Sequence, residues 1–213
     1  MTHIIAHTDA EAKGFREGGI TLVVEPCKDQ PVGQEYAIQI NGKWYMGRMR
    51  DSENAWREMS CPYLPGEIVV VKEACYIAPP NFCDTEFENK TDRWGRGRYV
   101  GYARKMDADA IRCAEEFGVR RTPARWMPLW AIDTRIRILT VEARLVGSIT
   151  YDEAAEAMPL ITTVDTESSY YEVGDMVTEC PVGAFKADWH RRHPKHPFER
   201  TWAWYYRFQR EGV

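Results

Sequence analysis

Apolar and polar residues alternate over several short stretches of the chain, a period that is typical of β-strands with one buried face. Residues 36–40 alternate in this way, the pair Asn41-Gly42 follows, and the alternation resumes over 44–46. Asn-Gly is the strongest two-residue signal for a tight turn between antiparallel strands. The pattern therefore predicts a β-hairpin near 36–46.

Three further stretches predict strands. An apolar run lies within 67–73, and the segments 134–146 and 201–209 are long and rich in apolar residues. The apolar positions of 134–146 change face near Ile138, which predicts a β-bulge of the kind that bends a sheet round into a barrel. Those of 201–209 alternate, which predicts a half-buried strand. We expect these strands and the hairpin to share one sheet system.

Two helices are expected to cap the sheet system. Thr150 and Glu153 have the spacing of a capping box at the start of a helix near 151–158. Pro159 ends that helix because it cannot continue the helical hydrogen bonding. A second helix is predicted near 183–193, where apolar residues recur at spacings of three and four.

The remaining stretches are mostly polar and predict loops. We expect long loop insertions near 76–98 and 159–181, and a short helix over 107–117 between them. No shift in composition marks a linker that would divide the chain. The predicted organisation is an N-terminal tail over 1–13, which can include a short helix, followed by a single domain over 14–213.

Composition narrows the function classes. The 213-residue chain has 44% hydrophobic residues and a formal net charge of −4, whereas a protein that coats long duplexes usually has a basic balance. Any nucleic-acid contact must therefore be a local patch. No apolar run approaches the roughly 20 residues of a membrane span, and the first residues lack a secretory signal. We expect a cytoplasmic protein whose six cysteines are free thiols.

Two basic stretches, near 93–99 and 120–126, interleave arginines with aromatic residues. Guanidinium groups can bind phosphates while an aromatic ring stacks on a base, so the first stretch is a candidate nucleic-acid surface. If both stretches flank the barrel mouth, they form one basic patch. The alternative is a pair of solvated loops with weak surface salt bridges. The candidate binding residues are Arg93, Trp94, Arg96, Arg98, Arg125 and Trp126.

Polar residues at the mouth of the predicted barrel form a second candidate set. Lys72 and Glu73 are adjacent, so one of them must point inward, where a buried charge needs a partner. Arg135 is the candidate partner of Glu73, and Thr21 completes the set. A barrel-closing ion pair and a base-reading role both fit these residues.

The histidines near the C-terminal end of the chain offer a weaker metal hypothesis. His190, His193 and His196 lie close to two arginines, whose charge repels a metal ion. A basic helix end beside the negative end of the helix dipole explains these residues better than zinc does. We expect no metal and no cofactor.

Six segments occur in a recognisable order. The segment 66–75 reads Gly-Glu-Ile-Val-Val-Val-Lys-Glu-Ala-Cys, and 126–131 reads Trp-Met-Pro-Leu-Trp-Ala. The others are 135–136, 149–154, 185–189 and 202–204. Together they resemble the ASCH-like proteins of the PUA-like superfamily that phages and prophages encode, over roughly 14–210. The resemblance implies an α+β fold: a PUA-like mixed β-barrel with a few short capping helices and long loop insertions.

The resemblance also implies where a catalytic site would lie. Members of the wider ASCH group that hydrolyse N4-acetylcytidine use a Lys and a Thr in a turn and a Glu at the end of the capped helix. In this chain these positions fall on Ile20, Val23 and Ala157, which have no proton to move and no lone pair to attack with. A slip of one residue brings in Thr21 or Glu156 but supplies no Lys.

From the resemblance and the two basic stretches we expect a phage-type PUA-like module that binds RNA, DNA or a modified nucleotide without catalysis in the cytoplasm of the bacterial host. One alternative is an amidohydrolase that acts on a modified nucleoside with a rewired site. Another is a phage protein that binds a host protein during infection. The arginine-rich stretches favour the first hypothesis, and the acidic net charge favours the last. No membrane partner is expected.

Overall fold

The computed structural model of the chain describes residues 3–30, 35–48, 56–79, 82, 87–162 and 169–211. Within these residues short strands and four helices alternate, which confirms the predicted mixed α+β class. The helices are α1 (Asp9–Glu17), α2 (Ala108–Glu116), α3 (Tyr151–Ala157) and α4 (Pro181–Arg192). The strands are β1 (His3–Ile5), β2 (Leu22–Pro26), β3 (Tyr36–Ile40), β4 (Lys43–Gly47), β5 (Arg57–Glu58), β6 (Ile68–Lys72), β7 (Cys75–Ala78), β8 (Phe87–Thr91), β9 (Gly97–Tyr102), β10 (Arg121–Thr122), β11 (Thr134–Leu145), β12 (Ile161–Thr162), β13 (Ser169–Val173), β14 (Met176–Thr178) and β15 (Trp202–Arg210).

The chain divides into two compact units that interleave along the sequence. The first unit is drawn from 1–18, 68–136 and 210–213, and the second from 19–67 and 137–209. The long strand β11 begins in the first unit and continues in the second. No linker marks the division, because each unit is assembled from segments that are separated in sequence. The N-terminal stretch that was expected to be a tail or a short helix forms β1 and α1.

The first unit contains two groups of strands. In one group β6 lies between β1 and β11, and β1 runs parallel to β6 with His3 opposite Val70. The other group is an antiparallel sheet of order β10-β7-β9-β8, in which Cys75 lies opposite Tyr102. Tyr76 and Phe87 of this sheet pack with apolar residues of α2. The opposite face carries Cys75, Val100 and Tyr102, which pack with Met127 and Ala131.

The second unit is organised around β15, which lies between β11 and β2. One apolar cluster of this unit joins one face of β15 to the helices α3 and α4. Members of this cluster include Ala154, Phe185, Trp189, Ala203 and Tyr205. Two smaller three-stranded sheets, β3-β4-β5 and β12-β13-β14, complete the described part of this unit.

Strand β15 is more deeply buried than its alternation predicted. Residues 203–206 are all buried, so the prediction of a half-buried strand is wrong. Both faces are covered: Tyr205 belongs to the cluster with α3 and α4, while the other face meets aromatic residues. Trp204 packs edge-on against Trp44, and Tyr206 packs edge-on against Tyr63.

The predicted hairpin is confirmed, but its place is not the one expected. Strands β3 and β4 pair through a turn in which both Asn41 and Gly42 have positive φ, as the Asn-Gly signal requires. Among the described residues they pair further with β5 and form a separate three-stranded sheet, so the hairpin does not join the other predicted strands there. All sheets within the described residues have open strand orders, and the predicted barrel is not confirmed.

Both predicted loop insertions contain strands. Residues 76–98 include most of β7, all of β8 and the start of β9, while 80–81 and 83–86 lie outside the described residues. Residues 159–181 include β12, β13 and β14, and 163–168 lie outside the described residues. The loop predictions were wrong because these strands are short and lie among polar residues, and pairing with neighbouring strands stabilises them.

The remaining local predictions hold. Strand β11 spans the expected range, and its buried positions change phase between Ile138 and Val141. Helix α3 begins with the predicted capping box, and α2 is followed by Gly118 at positive φ. The helix predicted near 183–193 is α4. In the part of the chain that the structure describes, every helix is too short or too polar to cross a membrane.

Candidate nucleic-acid interface

The first basic stretch forms the turn between β8 and β9, which we call the hairpin tip and define as residues 92–98. The amide of Asp92 donates to the carbonyl of Arg96 at 2.9 Å, and the amide of Gly95 donates to the carbonyl of Asp92 at 3.0 Å. Gly95 has a φ of 77°, a conformation that favours glycine. The Asp92 carboxylate accepts the amides of Trp94 and Arg96 at 2.9 and 3.0 Å. An aspartate that binds backbone amides two and four residues onward defines this turn locally.

Trp94 is the large exposed aromatic residue of the hairpin tip, with 62% of its surface accessible to solvent. The guanidinium carbon of Arg93 lies 4.0 Å from the centre of the indole ring, and that of Arg96 lies 4.8 Å from it. Both distances are within the range of cation–π contacts. The tip therefore presents one accessible aromatic ring with two cationic groups beside it.

Asp92 also limits the positive charge of the hairpin tip. Its carboxylate is buried and lies 3.1 Å from Nε of Arg96 and 3.6 Å from Nε of Arg98. Burial raises the pKa of Asp92, but hydrogen bonds from the amides of Arg96 and Trp94 and from the Arg96 guanidinium outweigh this effect and leave the pKa below its ordinary value. The carboxylate is therefore ionised at neutral pH. The negative charge of Asp92 therefore partly compensates the positive charges of Arg96 and Arg98. The positive charge of Arg93 is compensated less.

The second basic stretch begins at the other end of the same sheet. Thr122 of β10 pairs with Cys75, which pairs with Tyr102 at the end of β9 that lies away from the tip. The five steps from Tyr102 back to Gly97 span about 17 Å of strand. The expectation that both stretches form one patch stays a prediction, since this register locates β10 but not Arg125 and Trp126.

Trp126 has its own cationic neighbour. It is 68% exposed, and the Arg125 guanidinium lies 5.6 Å from its ring centre. Within the same stretch, Arg121 forms an ion pair with Asp9 at 3.0 Å. Trp94 and Trp126 are thus two similarly exposed indoles beside arginines, and each serves as a control for the other.

Glu73 lies at the centre of a buried ion network in the first unit. It is 1% exposed and accepts a hydrogen bond from Arg104, whose guanidinium also donates to Asp133 at 3.2 Å. Burial raises the pKa of Glu73, and the positive charges of Arg104 and Arg16 oppose that rise. Arg104 also lies over the Tyr102 ring at 4.5 Å.

The network differs from the predicted ion pair. Arg135 is exposed, so its prediction as the partner of Glu73 is wrong, and Lys72 is only half-buried. Arg104 follows directly after β9, in a stretch without a recognisable motif, and sequence reasoning missed it for that reason. The one available signal was the burial of Glu73 itself, which required some cationic partner.

The positions where the resemblance places catalytic groups are close together in the second unit. The amide of Thr21 donates to the carbonyl of Glu156 at 3.0 Å, so the turn before β2 meets the end of α3. Ile20 and Ala157 are buried apolar residues, and Val23 is half-buried. These three side chains offer neither a base nor a nucleophile.

The polar groups beside these positions are engaged in ion pairs. The Glu156 carboxylate pairs with Arg207. Glu153 accepts from Arg207 at 3.2 Å and also pairs with Arg144, whose guanidinium lies 4.0 Å from the Tyr205 ring centre. This arrangement ties α3 to the neighbouring strands. A carboxylate held between guanidinium groups is a poor general base, since its pKa is low.

Metal binding receives no geometric support from the residues that the structure describes. No three His, Cys, Asp or Glu side chains among them are grouped so that they could hold a metal ion. The histidine-rich end of α4 instead makes local contacts. The Trp189 ring nitrogen donates to the carbonyl of His196 at 2.8 Å, and its ring lies 4.5 Å from that of His193.

The chain shows no match to any protein-family model, to any curated protein or to any solved structure.

Proposed function

We propose that the protein is a PUA-like module of the ASCH type that binds single-stranded nucleic acid, or a nucleotide within it, at the hairpin tip without catalysis. The observation that carries this proposal is the exposed Trp94 ring with the Arg93 and Arg96 guanidinium groups at cation–π distance. Stacking of a base on an aromatic side chain contributes about 1–3 kcal/mol and tolerates any sequence. The adjacent guanidinium groups can bind the flanking phosphates.

Single strands fit this surface better than duplexes. A base can reach an indole ring only when it is unstacked and unpaired, as in a loop or a free strand. The formal net charge of −4 opposes the approach of a long polyanion, so the local cations of the tip must supply the attraction. Because Asp92 compensates part of that charge, we expect modest affinity and few phosphate contacts.

We propose no catalysis because the three positions that carry the catalytic Lys, Thr and Glu of the ASCH hydrolases are Ile20, Val23 and Ala157 in this chain. Glu156, the nearest carboxylate, is paired with Arg207. We propose that the module acts in the cytoplasm of the bacterial host, where single-stranded transcripts and replication intermediates are accessible.

The test is a fluorescence anisotropy titration of labelled twelve-nucleotide RNA and DNA single strands at several salt concentrations. With two phosphate contacts, the logarithm of the association constant should fall with the logarithm of salt concentration with a slope near −1.4, since each contact on a single strand contributes about −0.7. Arg93→Ala should make the slope shallower by about 0.7.

Two tryptophan variants separate the tip from the second basic stretch. Trp94→Ala should weaken binding at every salt concentration, by roughly 5- to 150-fold, because a stacking platform worth about 1–3 kcal/mol is lost. Trp126→Ala, which removes an equally exposed indole beside Arg125, should leave affinity within twofold. If neither single strand binds in a salt-dependent way, the proposal fails and a host protein becomes the better candidate partner.

A further inference from the structure

A cavity of about 410 Å³ lies in the second unit, between the β3–β4 hairpin and the segment 58–65. This volume is within the range of about 300–1,000 Å³ that is typical of small-molecule sites. Two aromatic residues, Trp44 and Tyr63, and two amide side chains, Gln39 and Asn41, contribute to its lining. None of these residues belongs to the hairpin tip or to the ion-paired end of α3.

The aromatic lining is held by a buried scaffold. Trp44 packs edge-on against Trp204, with ring centres 5.8 Å apart and planes at 77°. Tyr63 packs edge-on against Tyr206, with ring centres 4.9 Å apart and planes at 77°. Trp204 and Tyr206 lie two residues apart on one face of β15 and are almost completely buried. A ligand would therefore meet preformed aromatic walls, which lowers the entropic cost of ordering the site.

The same scaffold holds one buried polar atom without a protein partner in the described part of the chain, the indole nitrogen of Trp204. The Tyr206 hydroxyl faces the thiol of Cys61, a residue of the cavity lining, and their interaction opposes the rise in the thiol pKa that burial causes. Each belongs to a ring that packs directly behind a wall of the cavity. Buried polar groups nearly always have a partner, and an unsatisfied one indicates a bound water or another unseen molecule. The Trp204 nitrogen is such a group, one ring away from the cavity.

The charge of the lining selects among possible occupants. Lys43 and Glu58 both line the cavity and form an ion pair at 3.1 Å, so they compensate each other. Burial raises the pKa of the Cys61 thiol, which therefore stays neutral and donates to the carbonyl of Tyr63 at 2.8 Å. The lining has no net charge, while Gln39 and Asn41 present both hydrogen-bond donors and acceptors.

We propose that this cavity is a binding site for a small, flat, uncharged heterocycle whose edge carries both hydrogen-bond donors and acceptors. The aromatic walls suit a planar ring, and the amide side chains suit an amide-like edge. Because the lining is neutral, a negatively charged analogue of the same ring gains no partner for its charge and loses its solvation. The proposal does not depend on nucleic-acid binding at the hairpin tip.

The test uses two pairs of probes that share a ring and differ in charge: nicotinamide with nicotinate, and uracil with orotate. Saturation-transfer NMR should show binding of at least one neutral member, with its anionic counterpart at least tenfold weaker. The idea is overturned if neither neutral probe binds at millimolar concentration, or if the anions bind as well as the neutral rings.

Three variants test whether the neutral probe binds in this cavity. Gln39→Ala should weaken binding of the neutral probe roughly 3- to 10-fold through loss of one hydrogen bond. Gln209→Ala, which removes an exposed amide of β15 outside the cavity lining, is the matched control and should leave binding unchanged. Ser60→Phe should block the cavity, and a thermal unfolding midpoint checks that this variant is folded.

One more variant separates this site from the hairpin tip. Trp94→Ala should leave binding of the neutral probe unaffected, since Trp94 does not line the cavity. If Trp94→Ala abolishes probe binding while Gln39→Ala and Ser60→Phe do not, the ring stacks at the hairpin tip and the cavity proposal is refuted. The nucleic-acid proposal would then remain.

Discussion

At the scale of single residues, the carboxylates of Glu73 and Asp92 show how burial and hydrogen-bond partners have opposite effects on a pKa. Glu73 is buried so deeply that its pKa lies above the ordinary value despite the positive charge of Arg104. Asp92 is also buried, yet two backbone amides and Arg96 hold its pKa below the ordinary value. The two carboxylates differ because Glu73 is more deeply buried and Asp92 receives more hydrogen bonds. Glu73 therefore depends on a single partner far more than Asp92 does.

Removal of the Glu73 carboxylate should strongly destabilise the protein. Glu73→Ala leaves the buried Arg104 guanidinium without its closest counter-ion, and broken buried pairs typically cost about 3–5 kcal/mol. Urea unfolding followed by fluorescence measures the loss. Glu58→Ala removes an exposed partner of Lys43 and should change the free energy of unfolding far less, because solvent screens this pair. Equal effects of the two variants would contradict the assignment of Glu73 to a buried network.

The cysteines should react in the order of their exposure. The five described cysteines are free, Cys180 is exposed, and burial raises the pKa of Cys27 and of Cys75 to about 12. Cys83 lies outside the described residues. With a thiol-specific disulfide reagent at pH 8, Cys180 should react first, and Cys27 and Cys75 only after unfolding.

Cys180→Ser is the control for the thiol measurement, and it should remove the fast phase. Alkylation of the unfolded protein, with and without prior reduction, should give the same intact mass. A reductant-dependent mass difference would show a disulfide and would contradict the expectation that all six thiols are free.

At the element scale, helix α3 shows which interactions a sequence can reveal. The capping box of Thr150 and Glu153 is local, and its spacing alone predicted it. The ion pairs of Glu153 with Arg144 and Arg207 are not local, since β11 and β15 supply the arginines. Nothing in the spacing along the chain indicates that these strands meet the helix.

The Glu153 interactions predict a pH dependence of stability. Burial raises the pKa of Glu153, but the Thr150 amide and the Arg144 guanidinium outweigh this effect and leave the pKa below 4.5. A carboxyl whose pKa is lowered on folding contributes stability above its unfolded pKa and loses it as the pH falls through the folded pKa. The difference in unfolding free energy between the wild type and Glu153→Gln should therefore be constant above about pH 6 and shrink below pH 4.5.

Urea unfolding at a series of pH values from 3 to 7 measures this difference. Glu142→Gln is the matched control, because the Glu142 side chain is half exposed and lies 4.0 Å from Arg144. Its effect should be small and nearly independent of pH. If the difference in unfolding free energy between the wild type and Glu153→Gln is the same at pH 3 as at pH 7, the ionised carboxylate does not stabilise the helix.

At the scale of the whole molecule, the alternation of side chains revealed strands but not their partners. Strand β8 reads Phe-Glu-Asn-Lys-Thr, a polar sequence that resembles a loop, and it is a strand because it pairs with β9. The hairpin was predicted correctly but assigned to the wrong sheet, since periodicity carries no information on which strands become neighbours. The interleaving of the two units along the sequence could not be predicted for the same reason.

The candidate site was predictable in part. The exposed Trp94 and its arginines follow from their interleaving in the sequence, whereas the place where the second basic stretch begins depends on the register of β7, β9 and β10. The role of Asp92 in the turn could also be predicted from the sequence, because Asp followed by Gly three residues later is typical of a turn. The cavity near Trp44 could not be predicted, since its lining joins the β3–β4 hairpin, the segment 58–65 and Val141 through long-range packing.

The central claim, that single-stranded nucleic acid binds at the hairpin tip, is tested most directly by the indole N–H signals in a ¹H–¹⁵N correlation spectrum. Trp94→Phe and Trp126→Phe assign the two exposed indoles. On addition of a twelve-nucleotide single strand, the Trp94 signal should shift progressively, and the Trp126 signal should stay within its line width. A spectrum in which Trp94 does not respond while the strand binds, or in which only Trp126 responds, would contradict the account.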